Sequence, residues 1–266
     1  MSPDAGALDD MSGAAQLKTD DFAKRMIDFT ARLDCRVAKT ADEREEIFSL
    51  RYEAYLREGS IEANPSKLFK DRYDDLPNAW IFGCRLDGRL VSSLRVSVAS
   101  PQHPASPSIS VFHDVLAPEI DTGNIIIDPT RFVAHPLFGR EYPMLPQATA
   151  RLPFVACEHF NADIGLAACR EEHRAFYKRL FFLDQVGSPR PYPPLTKPIA
   201  LLRFDYRAVR ERVLARHPFL ASTPGERERL FGPAPARVVP RLLPAARARA
   251  VPSRTPSAEP FRINAA

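Results

Sequence analysis

Five short charged islands interrupt mostly apolar or strand-like surroundings between Arg51 and Arg131. They are Arg51-Tyr-Glu-Ala-Tyr55, Asp71-Arg-Tyr-Asp74, the turn Asp87-Gly88, Leu94-Arg95 and Asp128-Pro-Thr-Arg131. Ionised side chains rarely sit in apolar runs unless they are paired or functional. Three arginines (Arg51, Arg95, Arg131) and three aspartates (Asp71, Asp74, Asp128) in this pattern therefore read as one cluster assembled by folding. The arginines could grip a substrate carboxylate by a bidentate fork, or they could form a salt-bridge network with the aspartates. An Arg95–Asp128 pair is favoured, because both residues fall in strand-like segments. Asp71 and Asp74 are close enough to act together, either accepting a proton or capping a loop and holding Arg95 and Arg131. Aspartates beside arginines have low pKa values, which argues for positioning over strong base catalysis.

The elements that would position these charges follow from periodicity. Phe22, Met26, Phe29 and Leu33 recur at the helical period and predict a helix over 21–33. Arg36 to Lys39 reads as a short strand. Thr40 with Glu43 three residues on is a capping box opening a second helix. Its stripe is Ile47, Leu50 and Ala54, with Arg51 and Tyr55 one turn apart beside it and Gly59 as its stop. Ser60 to Pro77 reads as a loop carrying Asp71 and Asp74.

Two strands, Ala79 to Leu86 and Leu90 to Ala99, flank Asp87-Gly88, a pair suited to the positive backbone angles of a tight hairpin. A polar excursion covers Pro101 to Pro107. Three isoleucines open a buried strand over Asn124 to Val133. A helix over Met144 to Phe160, kinked by Pro146 or Pro153, comes next. Then follow a strand over Ala162 to Ala168, a helix over Glu171 to Leu180, and a strand over Phe181 to Val186. A Pro-rich loop leads to a last strand over Ile199 to Phe204, and a helix near Ala208 to Arg216 ends the series. A mixed sheet with helices on both faces is the natural solution for this order.

The 266-residue chain is expected to hold one domain over 21–231, flanked by disordered segments at 1–20 and 232–266, the latter rich in Pro, Ala and Arg. A net charge of +4 gives no reason to expect nucleic acid as a partner. The four cysteines, widely spaced and without a C-x-x-C, read as reduced thiols of a cytoplasmic protein. No apolar run reaches the roughly 18 residues that span a bilayer, and the acidic first residues are unlike a signal peptide. His135 and His159 lack metal-ligand spacing, so no metal is expected, and no Ser/His/Asp or Cys/His triad can be read.

The order of elements resembles the GNAT-like acyltransferase fold, a mixed, mostly antiparallel α/β sheet shared with the autoinducer (acyl-homoserine lactone) synthases. Arg51 with Tyr55, Asp71-x-x-Asp74, Leu94-Arg95 and Asp128-x-x-Arg131 resemble the autoinducer-synthase pattern. That pattern has Glu where Asp128 stands, and a tryptophan that is missing between Gly59 and Phe69. The second half is similar to the N-acyl amino acid synthases: His173-Arg-Ala-Phe-Tyr-Lys-Arg-Leu180, an aromatic strand, a Pro-Tyr-Pro segment, then Pro198-Ile-Ala-Leu-Leu-Arg203. Residues 35–205 carry the likeness.

It implies an N-acyltransferase that takes a long acyl chain from the phosphopantetheine thioester of acyl carrier protein and places it on an amino acid amine, with no bound cofactor. Contact with a membrane would be peripheral, through the lipid product. An acyl-homoserine lactone synthase using S-adenosylmethionine, or an inactive lipid- or carrier-binding module, are the alternatives. Acetyl-CoA-dependent relatives hold pyrophosphate in a Gly-rich loop after the central strand. Here Phe-Val-Ala-His-Pro-Leu-Phe-Gly-Arg follows Arg131, with Gly139 as its one glycine.

The reaction needs an acceptor for the amine proton, donors for the oxyanion, and a proton for the leaving thiolate. The resemblance places Asp71, Asp74, Arg95 and Tyr177 in the catalytic set. Arg51, Tyr55, Asp128, Arg131 and Phe132 would line the substrate. Tyr177 would protonate the thiolate, or else pack beside Phe176 and Leu180. Phe132, Phe138, Leu145, Leu152, Phe154 and Val155 could border an acyl tunnel or be core. Arg140, Arg151, Arg170, Arg174, Lys178 and Arg179 are candidates for steering an acidic carrier.

Overall fold

Local chemistry sets the first elements of the computed structural model, which describes residues 21–233; the readings for 1–20 and for the tail after residue 233 lie outside it. Helix α1 covers 21–32 and strand β1 is Asp34–Val37. The Thr40–Glu43 capping box forms as expected and starts helix α2 (Ala41–Arg57). Asp87 and Gly88 both adopt positive φ, 50° and 79°, and join β2 (Ala79–Leu86) to β3 (Arg89–Ala99). Two short helices, α3 (Pro107–Val111) and α4 (His113–Asp121), then lead to β4 (Ile126–Ala134). Helices α5 (Pro136–Glu141) and α6 (Leu145–His159) lead to β5 (Ile164–Cys169). After α7 (Arg174–Phe181) come β6 (Asp184–Arg190) and β7 (Ile199–Asp205), and α8 (Tyr206–Arg216) and α9 (Pro224–Phe231) close the described chain.

The strands form one sheet in the order β1-β2-β3-β4-β5-β7-β6. All pairs are antiparallel except β4–β5. Alternation sorts the side chains onto two faces. Leu94, Val96, Val98 and Ile127 pack with α1, α6, α8 and α9. On the opposite face, Ile81, Leu90 and Val133 meet α2, and Ala99, Ile126, Ile164 and Leu201 meet α3 and α4. Between these two apolar clusters the same face carries Arg95, Ser97, Asp128 and Thr130, which is where the charges collect.

The β4–β5 pairing runs only from Ile126–Ile164 to Ile127–Gly165. Beyond it the strands part, and the β4 edge facing β5 has no strand partner among the described residues. Gly165 stands at the fork because a Cβ there would overlap the Phe204 ring, itself stacked on Phe181. Gly165→Ala is expected to cost about 1–3 kcal/mol, the usual penalty for overpacking; the midpoint of denaturant unfolding measures it.

Several expectations are corrected. Cys35 and Cys84 are disulfide-bonded, with Cα atoms 4.0 Å apart, because the β1–β2 register sets them opposite each other; Cys157 and Cys169 are free and buried. Residues after Pro107 form helices where no element was expected. The strand expected from Phe181 starts at Asp184, since Phe181 still belongs to α7 and Phe182 ends it in the left-handed conformation (φ 55°). Helices α5 and α9 were not anticipated. No helix among the described residues is long and apolar enough to cross a membrane.

Candidate active site

The Asp71-Arg-Tyr-Asp74 island folds on itself. Asp71 caps a single 3-10 turn, Arg72–Asp75, its carboxylate accepting from the Tyr73 amide, while the Asp74 carboxylate reaches back to the Asp71 amide. The two aspartates thus form a capping box, and both carboxylates are aimed by backbone amides as well as by the arginines. Arg95, fully buried on β3, then bridges them. Its Nη1 lies 2.6 Å from Asp71 Oδ1 and 3.0 Å from Asp74 Oδ1, and its Nε donates to Thr130 Oγ1 at 3.0 Å. Arg131 donates to Asp71 Oδ2 from Nε (3.1 Å) and Nη2 (2.7 Å). Arg51 of α2 donates to Asp74 Oδ1 at 2.8 Å.

Folding therefore brings Arg51, Asp71, Asp74, Arg95 and Arg131 together as the sequence implied, and Asp71 and Asp74 cap a loop and hold the arginines. Asp128 is the exception. It does not pair with Arg95; it accepts from the Ser108 amide (2.9 Å) and hydroxyl (2.6 Å). The start of α3 packs over β4 and claims it. Burial raises the Asp128 carboxyl, and the Ser108 bonds oppose that shift.

Burial alone would raise the Asp71 carboxyl too, but the hydrogen bonds and charges of Arg95 and Arg131 outweigh it and hold it well below the ordinary range. A carboxylate so held is a poor proton acceptor. Burial pulls the Arg51 guanidinium down to about 10, and its Nε and Nη2 have no hydrogen-bond partner among the described residues. Three guanidiniums against two carboxylates leave the cluster with one excess positive charge.

Arg131 is where cluster and cleft meet. Its φ is +57°, and the β3–β4 register slips between Ser93 and Arg95, so Arg131 and Phe132 together oppose Leu94 alone. This is a β-bulge on β4, a device that re-aims side chains and backbone; positive φ on an arginine is strained and persists where packing over-determines it. The Phe69, Tyr55 and Tyr192 rings surround the guanidinium, with centroids 4.2, 5.7 and 5.6 Å away.

The parted strands leave a cleft of about 420 Å³ lined by Tyr55, Arg131, Phe132, Phe176 and Tyr177, with Arg170 and His173 also on its wall. Further in, Leu94, Phe154, Phe181 and Phe204 leave a space of only about 20 Å³. Phe132 thus borders the opening and Phe154 the small inner space, while Phe138, Leu145, Leu152 and Val155 are core.

The Tyr177 hydroxyl has no hydrogen-bond partner among the described residues, and burial raises it well above its ordinary value, so it keeps its proton. Of the proposed steering cations, Arg151 is corrected: it is buried and bound to Glu226 and to the Phe219 carbonyl, tying α6 to α9. Arg170 and Arg174 are paired with Glu58 and Glu171. Among the described residues, no group of three or more His, Cys, Asp or Glu could hold a metal.

A mostly antiparallel sheet that parts at its one parallel pair, with a bulged strand on one side of the fork, has the GNAT-like acyltransferase fold. The family can be stated as well: the chain belongs to the N-acyl amino acid synthases, since the model described as "N-acyl amino acid synthase FeeM" matches residues 46–205. Among solved structures it is similar to FeeM, an N-acyl amino acid synthase from uncultured soil microbes, at 17% identity and a TM-score of 0.58 over 70% of this chain and 97% of that one. It is also similar in fold to BjaI, a CoA-dependent acyl-homoserine lactone synthase solved with MTA, at 15% identity and a TM-score of 0.51 over 77% and 95%. None of the curated proteins matches the chain.

Proposed function

We propose that this protein transfers a long acyl chain from the phosphopantetheine thioester of acyl carrier protein to the amine of an amino acid. The observation that carries the reading is the fork itself: a cleft bordered by Tyr55, Phe176 and Tyr177 reaches Arg131 and Phe132, beside a polar cluster that is one negative charge short. The thioester lies in the cleft with its carbonyl at the unpaired β4 edge, whose backbone N–H groups serve the oxyanion. The neutral amine attacks the carbonyl carbon, the C–N bond forms, the C–S bond breaks, and the Tyr177 hydroxyl gives its proton to the departing thiolate. The amine proton leaves through water, and Tyr177 recovers its own from solvent. Asp71, Asp74 and Arg95 frame Arg131, and Arg51 anchors the frame to α2. A carrier-bound donor is supported by the segment after β4, which runs straight into α5 and offers no glycine-rich cradle for a pyrophosphate.

Expression in a bacterial host is expected to yield ether-extractable N-acyl amino acids by mass spectrometry. Homoserine lactones alone would establish the S-adenosylmethionine-using alternative. No product in the presence of acylated carrier would leave a binding module.

A further inference from the structure

A second pocket, of about 690 Å³, shares Arg131 with the cleft; Asp71, Arg72, Tyr73, Ser110 and Tyr192 line it further. Its charges are almost all compensated. Asp71 faces Arg95 and Arg131, and Arg190, also at its wall, is clamped by Asp114 at 2.5 and 2.9 Å. Arg72 is the one ionic lining group with no carboxylate partner among the described residues. It is also held in place: its Nη2 donates to Tyr73 Oη at 2.8 Å, and its guanidinium lies 4.9 Å from the centre of that ring. The remaining N–H groups of a fixed planar fork suit a carboxylate. Tyr73 is itself buried on the same 3-10 turn whose capping box aims Asp71, so Arg72 is registered to the reaction centre through one rigid turn.

We propose that this pocket is the acceptor site, and that Arg72 holds the free carboxylate of the amino acid so that its amine is presented at Arg131, where pocket and cleft meet. The inference rests on the N-acyltransferase reading above and deepens it. It makes the acceptor a small zwitterion with an unblocked carboxylate, and makes esters and amides of the same amino acid poor acceptors.

The test has a binding arm and a kinetic arm. In saturation-transfer NMR, an equimolar mixture of the standard amino acids and a matching mixture of their methyl esters are presented to the intact protein without donor. At least one amino acid is expected to bind the wild type and to be lost in Arg72→Gln, with its ester bound by neither. With acylated carrier present, Arg72→Gln is expected to raise KM for that amino acid about tenfold to a hundredfold, the loss of one charge-assisted contact. Its kcat should stay within a few-fold, and Arg72→Lys should recover part of the loss. Arg72 is exposed, so its removal should leave the melting temperature nearly unchanged. Unchanged binding and KM in Arg72→Gln, or no amino acid binding to the wild type, overturns the assignment. Arg72-dependent binding without any acyl transfer upholds the site and sinks the acyltransferase reading, so the two failures are distinguishable.

Discussion

Arg95→Ala is expected to abolish product formation and to lower stability by about 3–5 kcal/mol, the range for breaking a buried ion pair from one side. The argument is geometric. Arg51 still reaches Asp74, and Arg131 still reaches Asp71, so each carboxylate keeps one cation. What disappears is the one group among the described residues that touches both aspartates and Thr130 together, and with it the link from the 3-10 turn to β3; Arg131 alone still ties the turn to β4. Arg95→Lys separates charge from shape: it restores the cation, but a point charge cannot serve three acceptors in a plane, so a folded, weakly active variant is expected.

Acid titration gives an independent readout. The folded Asp71 carboxyl lies below its unfolded value, so its contribution is present above about pH 4 and is lost as pH falls through the folded value. Removing Arg95 lets the carboxyl rise, so stability should depend less steeply on pH below about 4. Thermal unfolding across that range, beside product yield, measures both effects. A folded Arg95→Ala protein with full activity would show that the bridge has no part in catalysis.

What could be read from sequence was local. The Thr40–Glu43 box and the Asp87-Gly88 turn involve residues within four positions, and both formed where they were placed. The charged cluster was legible as a set, because ionised residues in apolar surroundings need one another. Its wiring was not. Arg95 paired with Asp71 and not with Asp128, because pairing depends on the β3–β4 register and on a bulge at Arg131 and Phe132 that no residue type announces. Asp128 went to Ser108 because α3, five residues with no apolar period, was invisible. The Cys35–Cys84 link spans 49 residues and follows from a strand register. Arg151 looked like surface because its partner Glu226 sits on α9, where Leu230 and Phe231 alone are buried. In each case the missing information was a long-range contact.

Tyr177→Phe is the second large effect, and it isolates one atom. The ring packs edge-on to Phe176 at 5.0 Å, and that packing survives the change. The hydroxyl makes no hydrogen bond among the described residues, so its loss should leave stability within about 0.5 kcal/mol. Its chemical loss should be far greater: a positioned general acid contributes about 10²–10⁴-fold, so kcat should fall by that factor while KM for the acyl donor moves little. A packing role would leave kcat unchanged, and it fails a sharper test as well. If Tyr177 protonates the leaving thiolate, a donor whose thiol is more acidic needs that proton less, because the C–S bond breaks with the thiolate already stable. The kcat deficit of Tyr177→Phe should therefore shrink as the leaving thiol becomes more acidic across a series of acyl thioesters. A deficit independent of the leaving group would remove Tyr177 from proton transfer, and the thiolate would then take its proton from water in the open part of the cleft.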